Sequence, residues 1–283
     1  MKKNRLIGIS ILLILIGFFI LKYSKFNIVI PDVTVIPIDV QKSIANIKPV
    51  KQIYVPILLY HYVEYVKDPG DSIRKSLNII PYIFDQEVKT LKDAGYNFIT
   101  PKDLADVLDD KNNLPERPVI LTFDDGYRDF YTDVFPILKK YQVKAIAYIV
   151  PNFLDKPNNL STWMLKEISQ SGLVEIGAHT MNHIYLEGLP KKRVETEIIE
   201  SKKYLEKVLG IPIVSFAYPY GAFDNQSIQI VKDTGFTNAV TTISGNLVMD
   251  INRFFLYRIR PGGLIGESLL KLLEERIFPT VNK

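Results

Sequence analysis

The stretch PVILTFDDGYRDFY, Pro118 to Tyr131, ends an apolar run with two adjacent carboxylates, Asp124 and Asp125, followed by Gly126. Pro118–Phe123 is apolar enough for a buried strand, and a continuous run of this kind suits a parallel sheet covered on both faces. Like charges at the end of a buried strand are costly unless each has its own partner. Asp124 and Asp125 therefore each require a partner of opposite charge.

Outward from this strand, short apolar runs alternate with amphipathic segments. VPILLY (55–60) is the first strand, and a helix starts near Pro81 with Phe84, Val88 and Leu91 on one face and Gly95 as its stop. Further strands are expected in YNFIT, VKAIAYIV, LVEIGAH, IVSFAYP, TNAVTT and YRIR. Helices are expected over Ser161–Ser171 and Lys191–Leu209, with ESLLKLLEERI closing the chain. Repeated βα units imply parallel strands joined by crossover helices. No GxGxxG or Walker-type loop supports an open nucleotide-binding sheet, so a closed (β/α) barrel is expected. In such a barrel functional side chains sit at the C-terminal ends of the strands. His61, the Asp124–Asp125 pair, His179 and the Tyr218–Gly221 stretch all fall there.

Composition sets limits. The 283 residues are 47% hydrophobic and 23% charged, enough for a sizeable core and no signal of disorder. The net charge of +4 comes with no Lys/Arg-rich block, so no nucleic-acid partner is expected. With no cysteine, thiolate chemistry and Cys-based metal sites are excluded, leaving three histidines and the carboxylates as ligands. MKKNR precedes an apolar run, Leu6 to Leu21, and the exit KYSKFNIVIPD offers no small-residue cleavage site. Residues 1–25 are therefore expected to be a cytoplasmic stub and uncleaved transmembrane anchor, with the rest outside the membrane; a cleaved signal on a secreted protein is the alternative. Residues 26–54, with Pro31, Pro37 and Pro49 and no helical period, read as an extended tether, and residues 55–283 as the catalytic domain.

HTMNH places His179 and His183 four residues apart, so a helical turn would project both imidazoles to one side. Two imidazoles and one carboxylate make a facial ligand set for a divalent metal with positions left open. Asp125 is the natural third ligand. Thr180 follows the first histidine where an HExxH peptidase carries its glutamate, which argues against that class. Ligand types alone do not exclude iron. Asp124, beside the ligand, is left free to take a proton from water, which is hydrolytic equipment.

TFDDG, HTMNH and FAYPYG, in this order and spacing, resemble the polysaccharide deacetylases with a NodB homology domain, carbohydrate esterase family 4, over Val55 to Pro261. The resemblance implies a distorted (β/α)7 barrel. It implies Asp124 as catalytic base, with Asp125, His179 and His183 holding a metal, usually zinc. The implied reaction removes acetyl from an acetylated sugar, with the Tyr220 N–H, after Pro219, donating to the oxyanion and with Tyr218 and Tyr220 walling the sugar groove. Two features depart from the family pattern. Ala217 stands where an arginine usually pairs with the base, and no histidine follows His183 to act as acid. Arg258 or Arg260 on the late strand is the expected replacement for the arginine. His61, at the end of the first strand, is the expected acid, as in the branch acting on extracellular poly-N-acetylglucosamine. The implied substrate is an N-acetylglucosamine-containing envelope or matrix polysaccharide. An O-acetyl xylan-type esterase and a non-catalytic carbohydrate-binding relative are the alternatives. Oligomeric state is not legible in the sequence.

Overall fold

The computed structural model describes residues 32–66 and 70–279. Its strands are β1 (Gln52–Tyr54), β2 (Ile57–Tyr60), β3 (Tyr62–Val63), β4 (Asn78–Ile79), β5 (Asn97–Phe98), β6 (Pro118–Phe123), β7 (Ala145–Ile149), β8 (Val174–Ala178), β9 (Ser215–Ala217), β10 (Asn238–Ser244), β11 (Leu247–Met249) and β12 (Leu256–Arg258). The main sheet runs β12-β10-β9-β8-β7-β6-β2, with β5 paired to β6 off that path. Every pairing in it is parallel. A parallel bridge between Leu58 and Ile259, with Leu59 N–H to Ile259 O at 2.9 Å and Ile259 N–H to Ile57 O at 2.8 Å, joins the last strand to the first. The result is a nearly closed α/β barrel, as the repeating βα pattern led us to expect.

Alternation along each strand sorts side chains between two cores. Ile57, Ile120, Ile146, Tyr148, Ala217, Val240 and Leu256 pack together inside the barrel. Leu58, Leu121, Phe123, Ala147, Ile176, Phe216 and Tyr218 face the helices outside. The interior is tight. Gly177 leaves room for the buried Tyr148 ring, which a Cβ at that position would meet at 2.4 Å.

Helices cover the barrel where amphipathic periodicity places them. Pro81–Asp93 buries Phe84, Val88 and Leu91, and its Pro81 occupies the first helical position. Lys191–Leu209 buries Val194, Ile198 and Leu205 along one stripe and stops at Gly210 in a left-handed cap. Thr162–Gln170 starts at Ser161, whose side chain accepts from the Met164 N–H.

The tether expected over residues 26–54 differs from what is found from Asp32 onward. Ile38–Ile44 is a helix that buries Val40, and its Asp39 accepts from the Asn225 N–H at 2.8 Å. β1 pairs antiparallel with β11. The compact unit carrying the barrel thus begins at Asp32, not at residue 55. The apolar residues of this stretch, Ile36 and Val40 among them, find a face to bury, so they leave the extended state. The anchor expected in residues 1–25 lies outside the described residues. Among the described residues, no helix is long and apolar enough to cross a membrane.

Candidate active site

Strand parity delivers the first aspartate. Ile120, Thr122 and Asp124 share the inner face of β6, so Asp124 points into the barrel mouth, 3% exposed. Leu256 and Arg258 share the inner face of β12, and Arg258 meets Asp124 in a two-pronged ion pair. Nη1 donates to Oδ1 at 2.8 Å and Nη2 to Oδ2 at 2.7 Å. Arg258 is fixed in turn by Nε donating to Thr241 O at 2.7 Å and Nη1 donating to Thr122 Oγ1 at 3.0 Å. Burial pushes the Asp124 carboxyl up, but the Arg258 guanidinium overrides it and holds the group below the usual carboxylate range. Arg258, not Arg260, therefore partners the base candidate. Arg260 turns outward to pair with Asp32. Ala217, inner-facing on β9, is fully buried in the inner core.

Asp125 leaves the strand alternation through a left-handed backbone, φ 74°, followed by Gly126 at φ 70°. A Cβ on Gly126 would press on Ile149 Cδ1 at 3.1 Å, so glycine serves both the turn and the packing. The turn brings Asp125 Oδ1 to 3.1 Å from His183 Nε2 and 3.4 Å from His179 Nε2. The helical turn expected for HTMNH is not what joins the two imidazoles. A turn over residues 180–182, with left-handed φ at Thr180 (58°) and at His183 (56°) just after it, makes the rings converge. Glu197, fully buried on the long helix, holds it. The Glu197 carboxylate accepts from the Asn182 N–H at 2.9 Å and from Asn182 Nδ2 at 2.8 Å, while its carbonyl accepts from the Met181 N–H at 3.1 Å. A glutamate on the buried stripe of that helix is the sequence signal for this role.

The donor set fits a divalent cation. One ligand atom from each of Asp125, His179 and His183 lies within 4.8 Å of the others. Asp125 Oδ1 is buried with no hydrogen-bond partner, the condition of a polar atom shaped for a ligand. His179 Nδ1 lies 2.7 Å from Ala217 O, and donation to that carbonyl leaves Nε2 with its lone pair toward the cluster. Burial pushes Asp125 up, yet the two imidazoles hold it well below the usual range. His179 moves the other way: burial lowers it, but Asp125 and Asp124 raise it above the ordinary imidazole value.

The remaining expected residues divide. His61 follows β2, half-buried, with Nδ1 sealed from solvent and unpartnered; burial lowers its pKa against the pull of Asp125 and Asp124. Its segment is tied down by Asp129, whose carboxylate accepts from the Val63 N–H at 2.5 Å, and by Tyr62 stacked on Tyr127 at 3.9 Å. Pro219 is buried at the start of a single turn, Pro219–Gly221. Tyr220 sits at φ 58°, its ring 4.6 Å from that of His183 and 6.4 Å from that of Tyr185. Tyr218 does not wall a groove. It lies on the outer face of β9, fully buried, its hydroxyl donating to Phe254 O at 3.0 Å. Alternation from inner-facing Ala217 forces that placement.

Residues 111–239 match the family model described as polysaccharide deacetylase. YxkH of Bacillus subtilis (strain 168), a polysaccharide deacetylase by name, is 32% identical over 81% of this chain and 80% of its own length. The poly-beta-1,6-N-acetyl-D-glucosamine N-deacetylase of Staphylococcus epidermidis is 27% identical over 76% of this chain and 81% of its own. The Streptococcus pyogenes deacetylase PplD, solved in complex with acetate, superposes with a TM-score of 0.71 at 32% identity, covering 81% of this chain and all of that one. The chain belongs to the polysaccharide deacetylase family and is a carbohydrate deacetylase.

Proposed function

We propose that the protein is a metal-dependent N-deacetylase of an N-acetylglucosamine-containing polysaccharide outside the cell, with zinc as the metal. The observation that carries this reading is the pairing of Asp124 with Arg258 beside the Asp125, His179 and His183 cluster. Three potential ligands and an unliganded, ion-paired carboxylate are the equipment of hydrolysis, and a non-catalytic relative has no need to keep both.

A divalent cation held by Asp125, His179 and His183 supplies Lewis acidity toward water and the acetyl carbonyl. Asp124, ionised and oriented by Arg258, accepts the proton of the attacking water. The Tyr220 N–H donates to the developing oxyanion. His61, whose pKa lies below the ordinary imidazole value, gives up a proton readily once it holds one, which suits delivery to the leaving nitrogen. Amine and acetate are the products. Acetate, present in the PplD complex, belongs to this product class.

The choice of N-acetylglucosamine rests on the poly-beta-1,6-N-acetyl-D-glucosamine N-deacetylase relative and on His61 at the first strand end. The apolar run Leu6–Leu21 behind MKKNR supports attachment to the outer face of the membrane, the N-terminus inside. The test is acetate release from β-1,6-linked N-acetylglucosamine oligomers set beside O-acetylated xylan. Release from xylan alone would replace this reading with an esterase.

A further inference from the structure

Tyr220 holds a backbone conformation, φ 58° and ψ 9°, that a residue with a Cβ disfavours. Such a state persists where its surroundings over-determine it. Here the restraint comes from a distant part of the chain. The Tyr220 carbonyl accepts from the Val33 N–H at 2.7 Å, and Thr242 Oγ1 stands 3.2 Å from it and 2.8 Å from the Val33 carbonyl. Next door, a Cβ on Gly221 would meet Thr242 Oγ1 at 2.2 Å, so the loop is pressed onto β10 with no slack. Asp32 ties the same segment to Arg260, just past β12, and Ile36 and Val40 bury their side chains beyond it. Asp32 to Val40 thus forms a strap from the end of the last barrel strand across the Tyr218–Gly221 loop.

We infer that this strap is a working part of the active site, with Val33 as a positioning residue. Its N–H, together with the Thr242 hydroxyl, locks the Tyr220 peptide in the left-handed state that aims the Tyr220 N–H at the acetyl oxyanion and lays its ring against His183. The inference rests on the deacetylase reading for its chemistry, but the mechanical claim stands apart from it. The Tyr220 carbonyl fixes ψ, and φ and ψ together set where the N–H and the ring point. Without the strap, Tyr220 is free to relax toward φ below zero and carry both away. The N-terminal segment of the unit, which reads in sequence as a spacer, is then required for turnover.

The test uses the full chain in two variants. Val33→Pro removes the donor, and Asp32→Ala loosens the strap while leaving that donor in place. Amide hydrogen exchange over residues 216–223 reads the lock directly and is expected to speed up in both. Steady-state acetate release is expected to lose on the order of 10²-fold in kcat in Val33→Pro, the cost of misplacing a reacting group by about 1 Å. KM is expected to stay within about twofold, because the N–H acts on the transition state and not on bound substrate. Binding of a phosphonate analogue of the tetrahedral intermediate is expected to weaken in step with kcat/KM. If Val33→Pro fails to fold, Asp32→Ala carries the comparison, with the same signs and a smaller fall. Unchanged exchange over 216–223 overturns the strap whatever the activity. Faster exchange with unchanged kcat overturns its catalytic role. An absence of acetate release in the unaltered protein sinks the deacetylase reading instead, and the exchange data alone then decide the lock.

Discussion

Arg258 and Asp124, 134 residues apart in sequence, meet with both terminal guanidinium nitrogens within 2.8 Å of the carboxylate oxygens, and both residues are almost wholly buried. Breaking a buried pair strands a charge, at a cost of about 3–5 kcal/mol. Arg258→Ala is expected to lower unfolding free energy by that order in urea titration. The exposed Arg260 pair with Asp32 offers the contrast, since Arg260→Ala is expected to cost ~1 kcal/mol or less. Equal losses in the two variants would show that the Arg258 pair is not the buried anchor described.

Asp124→Asn removes the proton acceptor and leaves the three candidate ligands in place. Turnover is expected to fall by ~10² to 10⁴-fold, with metal content measured by atomic emission unchanged. Activity close to that of the unaltered protein would remove Asp124 from the base role. His61→Ala is expected to lower kcat with a smaller effect on KM, and unaltered kinetics would return His61 to a packing role.

Much of the site was legible because it depends on strand parity and motif spacing. PVILTF runs as the strand expected, Lys191–Leu209 is the expected helix, and Asp125, His179 and His183, each expected near a strand end, lie together. What was not legible lies in backbone states and distant partners. Nothing in HTMNH announces that Thr180 and His183 adopt left-handed φ in place of a helical turn. Tyr218 lies within the expected strand IVSFAYP, and alternation there, with Phe216 and Tyr218 in the outer core and Ala217 in the inner one, sends its ring away from the groove that the family resemblance implies. The choice between Arg258 and Arg260 needed the barrel closure, since both share one parity and only Arg258 lies within the strand. The strap could not be seen because Ile36 and Val40 show no period until a groove exists to bury them.

Glu197 hydrogen-bonds Asn182 and not the histidines themselves, and so fixes the turn between them. Groups behind a ligand shell typically cost 10–100-fold in metal affinity when removed, and Glu197→Ala is expected to lose about that much. Competition with a fluorescent zinc chelator measures it. Affinity equal to that of the unaltered protein would show that the turn holds its shape without Glu197.

Glu87 gives a pH dependence separate from catalysis. It is fully buried on the helix Pro81–Asp93, where the Tyr60 hydroxyl donates to Oε2 at 2.9 Å. Burial raises its pKa from 4.5 to about 8, against the opposing pull of Tyr60. The folded state thus binds this proton more tightly than the unfolded chain. The stability it carries is full below pH 4.5 and is lost as pH rises toward 8. The slope over that window is at most about 1.4 kcal/mol per pH unit. Urea midpoints of the unaltered protein are expected to fall relative to Glu87→Gln across the window. Parallel profiles would show that Glu87 stays ionised.

Metal-dependent N-deacetylation is tested directly by one measurement. Acetate is quantified after incubating the full-length protein, in detergent, with β-1,6-linked N-acetylglucosamine oligomers. The assay is run as purified, after exhaustive chelation, and after zinc is added back. The expected result is release as purified, loss on chelation and recovery with zinc. Release that survives chelation, or no release under any of the three conditions, would contradict the account.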